Sequence, residues 1–275
     1  MTNRTRLNLT LTAQADFEYD PAYHFNLRKR ILSKIPDRLL EDHNSSQPLG
    51  ISYTNPIPWG DAQENDKKHI TISATTEELL VGLVSGIAED NAFNVGQMQF
   101  EVTGLSEHTT DVGEPGTQGT IETDTGVHVS FSPKQAKKYG IKTRGKCEHF
   151  WREEDPLDAF EDRIENNLKF KWDKHVDSHH NSGPYQVEGP IFDSYELMKT
   201  YAIPLTVTNG ETRTTVLSKW RFDYTVRSEA HRDTLNMALS TGVGSRNGMG
   251  LGAISIKEKQ TPQLKTHGDT NQTRV

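Results

Sequence analysis

Strict alternation opens the chain: residues 4–14 put Leu7, Leu9 and Leu11 on one face and Asn8, Thr10 and Thr12 on the other, the period of a half-buried strand. From Pro21 to Lys34 the period lengthens, with Phe25, Leu27, Ile31 and Leu32 recurring at three- and four-residue steps, which predicts a helix. Pro36 fits a first helical turn, so a second short helix is expected over Pro36–Asp42. Strands follow at 49–54 and 67–75, separated by the turn-rich segment PIPWGDAQEND. Thr75 or Thr76 with Glu78 reads as a helix start, and Leu79, Leu80, Leu83, Val84 and Ile87 form its apolar stripe. A strand at about 95–104 completes the order βαββαβ, the ferredoxin-like arrangement.

The glycine-rich DVGEPGTQGT (111–120) carries few apolar residues, so the boundary between two domains, 1–110 and 111–258, is placed there. The second half offers a strand pair at 119–123 and 126–132, long strands at about 195–208 and 213–226, a helix at 228–240 and a strand at 251–257. Residues 133–190, basic and then acidic with one helix over 156–173, are read as an insertion. The expected fold class is therefore α+β, two tandem ferredoxin-like domains with an insertion in the second. The polar tail 259–275 is expected to be disordered.

Composition narrows the function classes. Apolar residues make up 33% of 275, enough for compact cores, and no run approaches 18 apolar residues, so no membrane helix is predicted. The first residues lack a hydrophobic signal core and Cys147 is the single cysteine, so a cytoplasmic protein is expected. The net charge of −7 argues against a general nucleic-acid binder. Two patches depart from it. Residues 21–38 hold five Lys or Arg against Asp37, and 213–257 hold seven against three acids. A charge run is most often a solvated face, yet an acidic body with two basic patches is compatible with RNA binding.

The densest signal is Gly242-Val243-Gly244-Ser245-Arg246-Asn247-Gly248-Met249-Gly250-Leu251-Gly252. Its glycines accept positive φ and let backbone N–H groups approach a ligand, as in anion-binding nests, and Arg246 could fork onto a phosphate. A P-loop is excluded because Met249, not Lys, follows Gly248, and a dinucleotide fingerprint because this loop follows a helix and feeds a strand. The bland alternative is a glycine turn without a ligand. The pattern Gly242-x-Gly244, five residues, Gly250-x-Gly252, in that helix-to-strand context, resembles the signature loop of the repeat-associated RNA-binding (RAMP) superfamily of CRISPR systems, and within it the repeat-specific endoribonucleases that process precursor CRISPR RNA. The resemblance implies that Gly242, Gly244, Ser245, Arg246, Asn247, Gly250 and Gly252 lie against RNA.

It implies a catalytic residue as well. The endonuclease branch has a helix like Tyr23–Lys34, a short leucine-rich helix, and a histidine before the next strand, where His43 stands. Histidine suits proton transfer near neutrality, and a helix C-terminus favours its protonated form. RNA carries its own nucleophile, the 2′-hydroxyl beside the scissile phosphate. An enzyme of this kind needs no metal and no cofactor, has no use for DNA as a substrate, and leaves a 2′,3′-cyclic phosphate and a 5′-hydroxyl. Lys34 and Tyr23 are candidate partners of His43. The expected partners are the repeat RNA and, after cutting, other proteins of a CRISPR effector complex. Two rivals remain: a non-catalytic RNA-binding subunit, and a module whose loop holds a nucleotide phosphate. His24 is the alternative base, expected to sit on the first helix away from the cut. Cys147, His149, His175, His179 and His180 could assemble a zinc site only across about 25 residues, without a CxxC, and the expectation is that they do not.

Overall fold

The computed structural model describes residues 4–20, 23–40, 50–142, 149–177, 185–206 and 211–261. The first half runs β1 (Thr5–Ala13), α1 (Tyr23–Leu32), a 3-10 turn (Asp37–Leu39), β2 (Ile51–Tyr53), β3 (Lys67–Ala74), α2 (Glu77–Glu89) and β4 (Phe100–Thr109). Its antiparallel sheet has the order β2-β3-β1-β4, with Leu9 opposite Ile70 on one side and Leu105 on the other. One face buries Leu7, Leu9, Leu11, Ile70 and Ile72 against Leu27 and Ile31 of α1 and Leu80 and Leu83 of α2. Truncating any of these leucines to alanine would cost about 2–5 kcal/mol. Thr76 stands at the start of α2 without a side-chain cap bond, so Glu77 and Glu78 at the positive end of the helix dipole supply its start signal.

The last strand lies five residues later than its apolar pattern predicts. Phe93, Val95 and Met98 are buried in the approach to the strand, through the bridge Val95↔Met98, while the outer half of β4 is polar and exposed. The second helix expected over Pro36–Asp42 shrinks to the single turn Asp37–Leu39 among the described residues.

The second half contains β5 (Gln118–Thr123), β6 (Ser130–Phe131), α3 (Pro133–Lys138), β7 (His149–Phe150), α4 (Leu157–Trp172), β8 (Ser194–Thr206), β9 (Thr212–Thr225), α5 (Glu229–Thr241) and β10 (Ile254–Gln260). The sheet order β10-β5-β9-β8 repeats that of the first half. This topology narrows the insertion read over 133–190. α4 occupies the first crossover of the second ferredoxin-like motif and buries Phe160, Ile164 and Leu168 under Trp220 and Leu235. What is added is β6, α3 and β7, and β6 pairs with β7 instead of β5. Lys259 and Gln260, assigned to the tail, belong to β10; residues 262–275 lie outside the described residues.

Arg6 of β1 joins the halves. Its buried guanidinium donates to the carbonyls of Leu239 (2.8 Å) and Ile254 (2.7 Å), at the end of α5 and the start of β10. Asp111 is shared by Arg4 and Arg232. No helix among the described residues is long and apolar enough to cross a membrane.

Candidate functional site

The glycine loop begins where α5 ends. Gly242 takes φ +74, a conformation that stops the helix and that side chains rarely adopt. Lys171 of α4, buried, donates from Nζ to the Gly242 carbonyl (2.7 Å) and lies 3.5 Å from that of Thr241. Burial pushes this ammonium down to about 7, against the pull of the carbonyl end of α5. Val243 N–H donates to Gly252 O (2.8 Å) and closes the base of the loop; Ser245 N–H reaches His128 O and Gly252 N–H reaches Gly126 O. Asn247 Nδ2 braces the interior by donating to Val243 O (3.1 Å) and Leu251 O (2.8 Å). Leu251 and Met249 pack on Leu205, Leu217, Tyr201 and Ile203 of the β8–β9 hairpin.

The first half grips the same loop from the other side. His24 of α1 bonds the Met249 carbonyl through Nδ1 (2.9 Å), and Tyr53 of β2 donates its hydroxyl to Gly248 O (2.7 Å). A Cβ on Gly250 would meet the Tyr53 ring at 2.7 Å. Burial lowers the His24 pKa to about 4, and the Met249 carbonyl opposes this only in part, so the ring is neutral and its Nδ1 carries the hydrogen. His24, on the first helix as expected, is built against the loop. Burial also raises the Tyr53 phenol, while the charge of Arg28, on α1, pulls it down.

These contacts change the reading of the loop as an open nest. At least six of its eleven N–H groups (residues 242, 243, 245, 249, 250 and 252) donate to backbone carbonyls within the fold. The Ser245 hydroxyl is bonded to His128 Nδ1 (2.7 Å), and Asn247 is used as a brace. Gly242, Gly244, Gly250 and Gly252 are buried, so their small size serves internal packing first. The surface left for a ligand is the tip, where Arg246 is exposed in a left-handed conformation at φ +61.

The expected catalytic set divides. His43 lies outside the described residues. Lys34 is buried and its ammonium is bonded to Asp90 Oδ2 (2.7 Å) and to the Asp90 carbonyl. The hydrogen bond from Lys34 is the largest cause holding the Asp90 carboxyl down at about 2. An ammonium paired in this way would have to leave Asp90 to meet a phosphate. Tyr23 is buried between His24 (ring centroids 4.0 Å apart) and Trp59 (5.3 Å), and burial raises its phenol far above the ordinary range. It is a packing partner of His24, not an ionising one. His149 and His175 are buried, whereas Cys147, His179 and His180 lie outside the described residues; no group of three metal-ligating side chains occurs among the described residues.

Sequence reasoning missed Tyr53, His128 and the contact made by His24. No local pattern marks any of them, and the partner of each lies more than 100 positions away.

Comparison with known proteins now bears on this arrangement. The family model for "CRISPR associated protein Cas6, C-terminal" matches residues 118–256. The chain is 44% identical over 258 residues to the CRISPR-associated endoribonuclease Cas6 of Haloferax mediterranei, covering 94% of this chain and 95% of that protein. A solved structure described as CRISPR associated protein Cas6 superposes with a TM-score of 0.64 at 16% identity, covering 92% and 99% of the two chains. The product of a Cas6-related gene from Pyrococcus furiosus gives 0.66 at 18%, covering 92% and 98%. At these identities, the two structural matches speak for the fold alone, tandem ferredoxin-like domains included.

Proposed function

This chain belongs to the Cas6 family of CRISPR-associated endoribonucleases, and on that premise we propose that it cuts the repeats of precursor CRISPR RNA by attack of the RNA's own 2′-hydroxyl, without a metal ion. The observation that carries this reading is the glycine loop clasped to α1 and β2 through His24 and Tyr53. That clasp sets the exposed tip of the loop beside the helix whose sequence leads to His43.

In the proposed reaction the 2′-oxygen loses its proton to a base and attacks phosphorus. The P–O5′ bond breaks, and the leaving 5′-oxygen takes up a proton. The products are a 2′,3′-cyclic phosphate and a 5′-hydroxyl. His43 serves as the base or the acid, a role typically contributing about 10²–10⁴-fold. With Lys34 committed to Asp90, the cations proposed to face the phosphorane are Arg246 of the loop and Arg28 of α1. The cut RNA would then pass to other proteins of a CRISPR effector complex. A module that holds a free nucleotide phosphate is disfavoured, because most of the N–H groups that would cradle it are already used.

Cleavage of the cognate repeat RNA is expected to continue in excess EDTA. A single 2′-deoxy substitution 5′ to the scissile phosphate should abolish cutting and leave binding nearly intact. Strict dependence on added Mg²⁺ would overturn the mechanism, and RNA binding with no cleavage at all would favour a non-catalytic subunit.

Binding is also expected to weaken steeply with salt despite the acidic total charge, since local cations displace counterions from phosphates. Arg246→Ala should flatten the slope of log K against log salt by roughly one unit if that side chain meets a phosphate. An unchanged slope in a salt titration would take Arg246 out of the interface.

A further inference from the structure

Of the four tryptophans, Trp151, Trp172 and Trp220 are at most 4% exposed, whereas Trp59 is 52% exposed. Scattered apolar side chains on a surface need no explanation. Trp59 differs because the fold is built to hold it there. The loop 57–62 that carries it is fastened at one end by Ile57, which exchanges both backbone hydrogen bonds with His69, and at the other by Ala62, which does the same with Phe17. Beneath the loop, the buried Lys68 ammonium donates to the carbonyls of Pro58 (2.6 Å), Gly60 (2.9 Å) and Asp61 (3.3 Å). Asp61 in turn accepts from Tyr19 N–H. The indole rests on Tyr19 (5.5 Å) and edge-on to Tyr23 (5.3 Å), which leaves half of it accessible.

A second observation lies beside it. Asn55 is 5% exposed, lines the same hollow as Trp59, Tyr19 and Tyr23, and its Oδ1 has no hydrogen-bond partner among the described residues. A buried amide oxygen without a donor is costly. The closed part of the hollow has room for about one water, through which a donor outside could reach that oxygen. The hollow also borders the loop tip. Tyr23 links Trp59 to His24, which holds Met249, and a Cβ on Gly250 would stand 3.5 Å from Asn55 Oδ1.

We propose that Trp59 is a stacking platform for one unpaired nucleobase of the RNA close to the cleaved bond, with Asn55 reading a donor on that base directly or through a water. This rests on the endoribonuclease reading above. Aromatic side chains take bases of any sequence on their face, and a platform that is already rigid loses little entropy on binding. The Asn55 acceptor adds a preference for a base edge that donates.

The test uses the full chain and repeat-sequence RNA carrying the 2′-deoxy block, read by tryptophan fluorescence and by affinity. RNA should quench the emission of the one exposed tryptophan. Trp59→Ala should remove that quench and weaken binding roughly ten-fold or more, Trp59→Phe should recover most of the affinity, and the melting temperature should stay near wild type. RNAs made abasic at successive positions around the cut should include one whose loss equals that of Trp59→Ala and is not increased further by it. Binding that is unchanged in Trp59→Ala, in a chain that still cuts RNA, overturns the platform while the nuclease reading stands. Trp59 would then face a protein instead. A wild-type chain that neither binds nor cuts repeat RNA overturns both.

Discussion

His43→Ala is expected to slow single-turnover cleavage of repeat RNA by at least about 10²-fold while changing RNA affinity little. A group that moves a proton in the transition state lowers the barrier without adding to ground-state binding, which the proposal assigns to the loop tip and the basic patches. The control is His24→Ala, and the structure alters what it should do. His24 is neutral, buried and bonded to Met249 O, so it is poorly placed to take a proton from substrate. Its removal leaves the Met249 carbonyl without that donor and opens a cavity between α1 and the loop. The expected outcome is a lower melting temperature and weaker binding, with the rate at saturating enzyme reduced far less than in His43→Ala. A His43→Ala chain that cuts normally beside a folded, inactive His24→Ala chain would place the reaction at the first helix.

Gly252→Val should unfold or severely destabilise the second half. Gly252 has φ +70, and a Cβ there would lie 2.0 Å from the Val243 carbonyl oxygen, which is backbone and cannot turn aside. A β-branched residue at positive φ and overpacking against fixed atoms cost about 1–3 kcal/mol each, so a loss of roughly 2–6 kcal/mol is expected. Were the loop glycines to serve RNA approach first, cleavage would suffer more than stability. A thermal melt decides between them: a Gly252→Val chain with a wild-type melting temperature and no cleavage would show that Gly252 serves RNA approach.

Much of the fold was legible because its elements carry their own periods. The alternating leucines of β1 and the stripe of α2 lie on their cores as predicted. α4 was legible as a helix but not as the first crossover of the second motif. β6, α3 and β7 lengthen the path from β5, and nothing local says which helix crosses the sheet. The two-residue strand β7 has no period to read. At the site, the glycine spacing was visible, whereas the clasp was not. His24, Tyr53 and Lys171 act through backbone carbonyls far along the chain, and a carbonyl leaves no mark on sequence. The pairing of Lys34 was equally hidden, since its partner Asp90 stands at the far end of α2.

Arg6 sets an order of events during synthesis. It leaves the ribosome well before one of its two acceptors, Ile254, which lies 248 positions later. At a translation rate of about 5–20 residues per second, it waits roughly 12–50 s for that partner. Until then the first half must keep a cationic side chain in water at a place that the finished protein buries. A nascent chain stalled before β10 would therefore present the first half with its joining surface open, while release of the last strand seats the guanidinium and locks the two halves in one step.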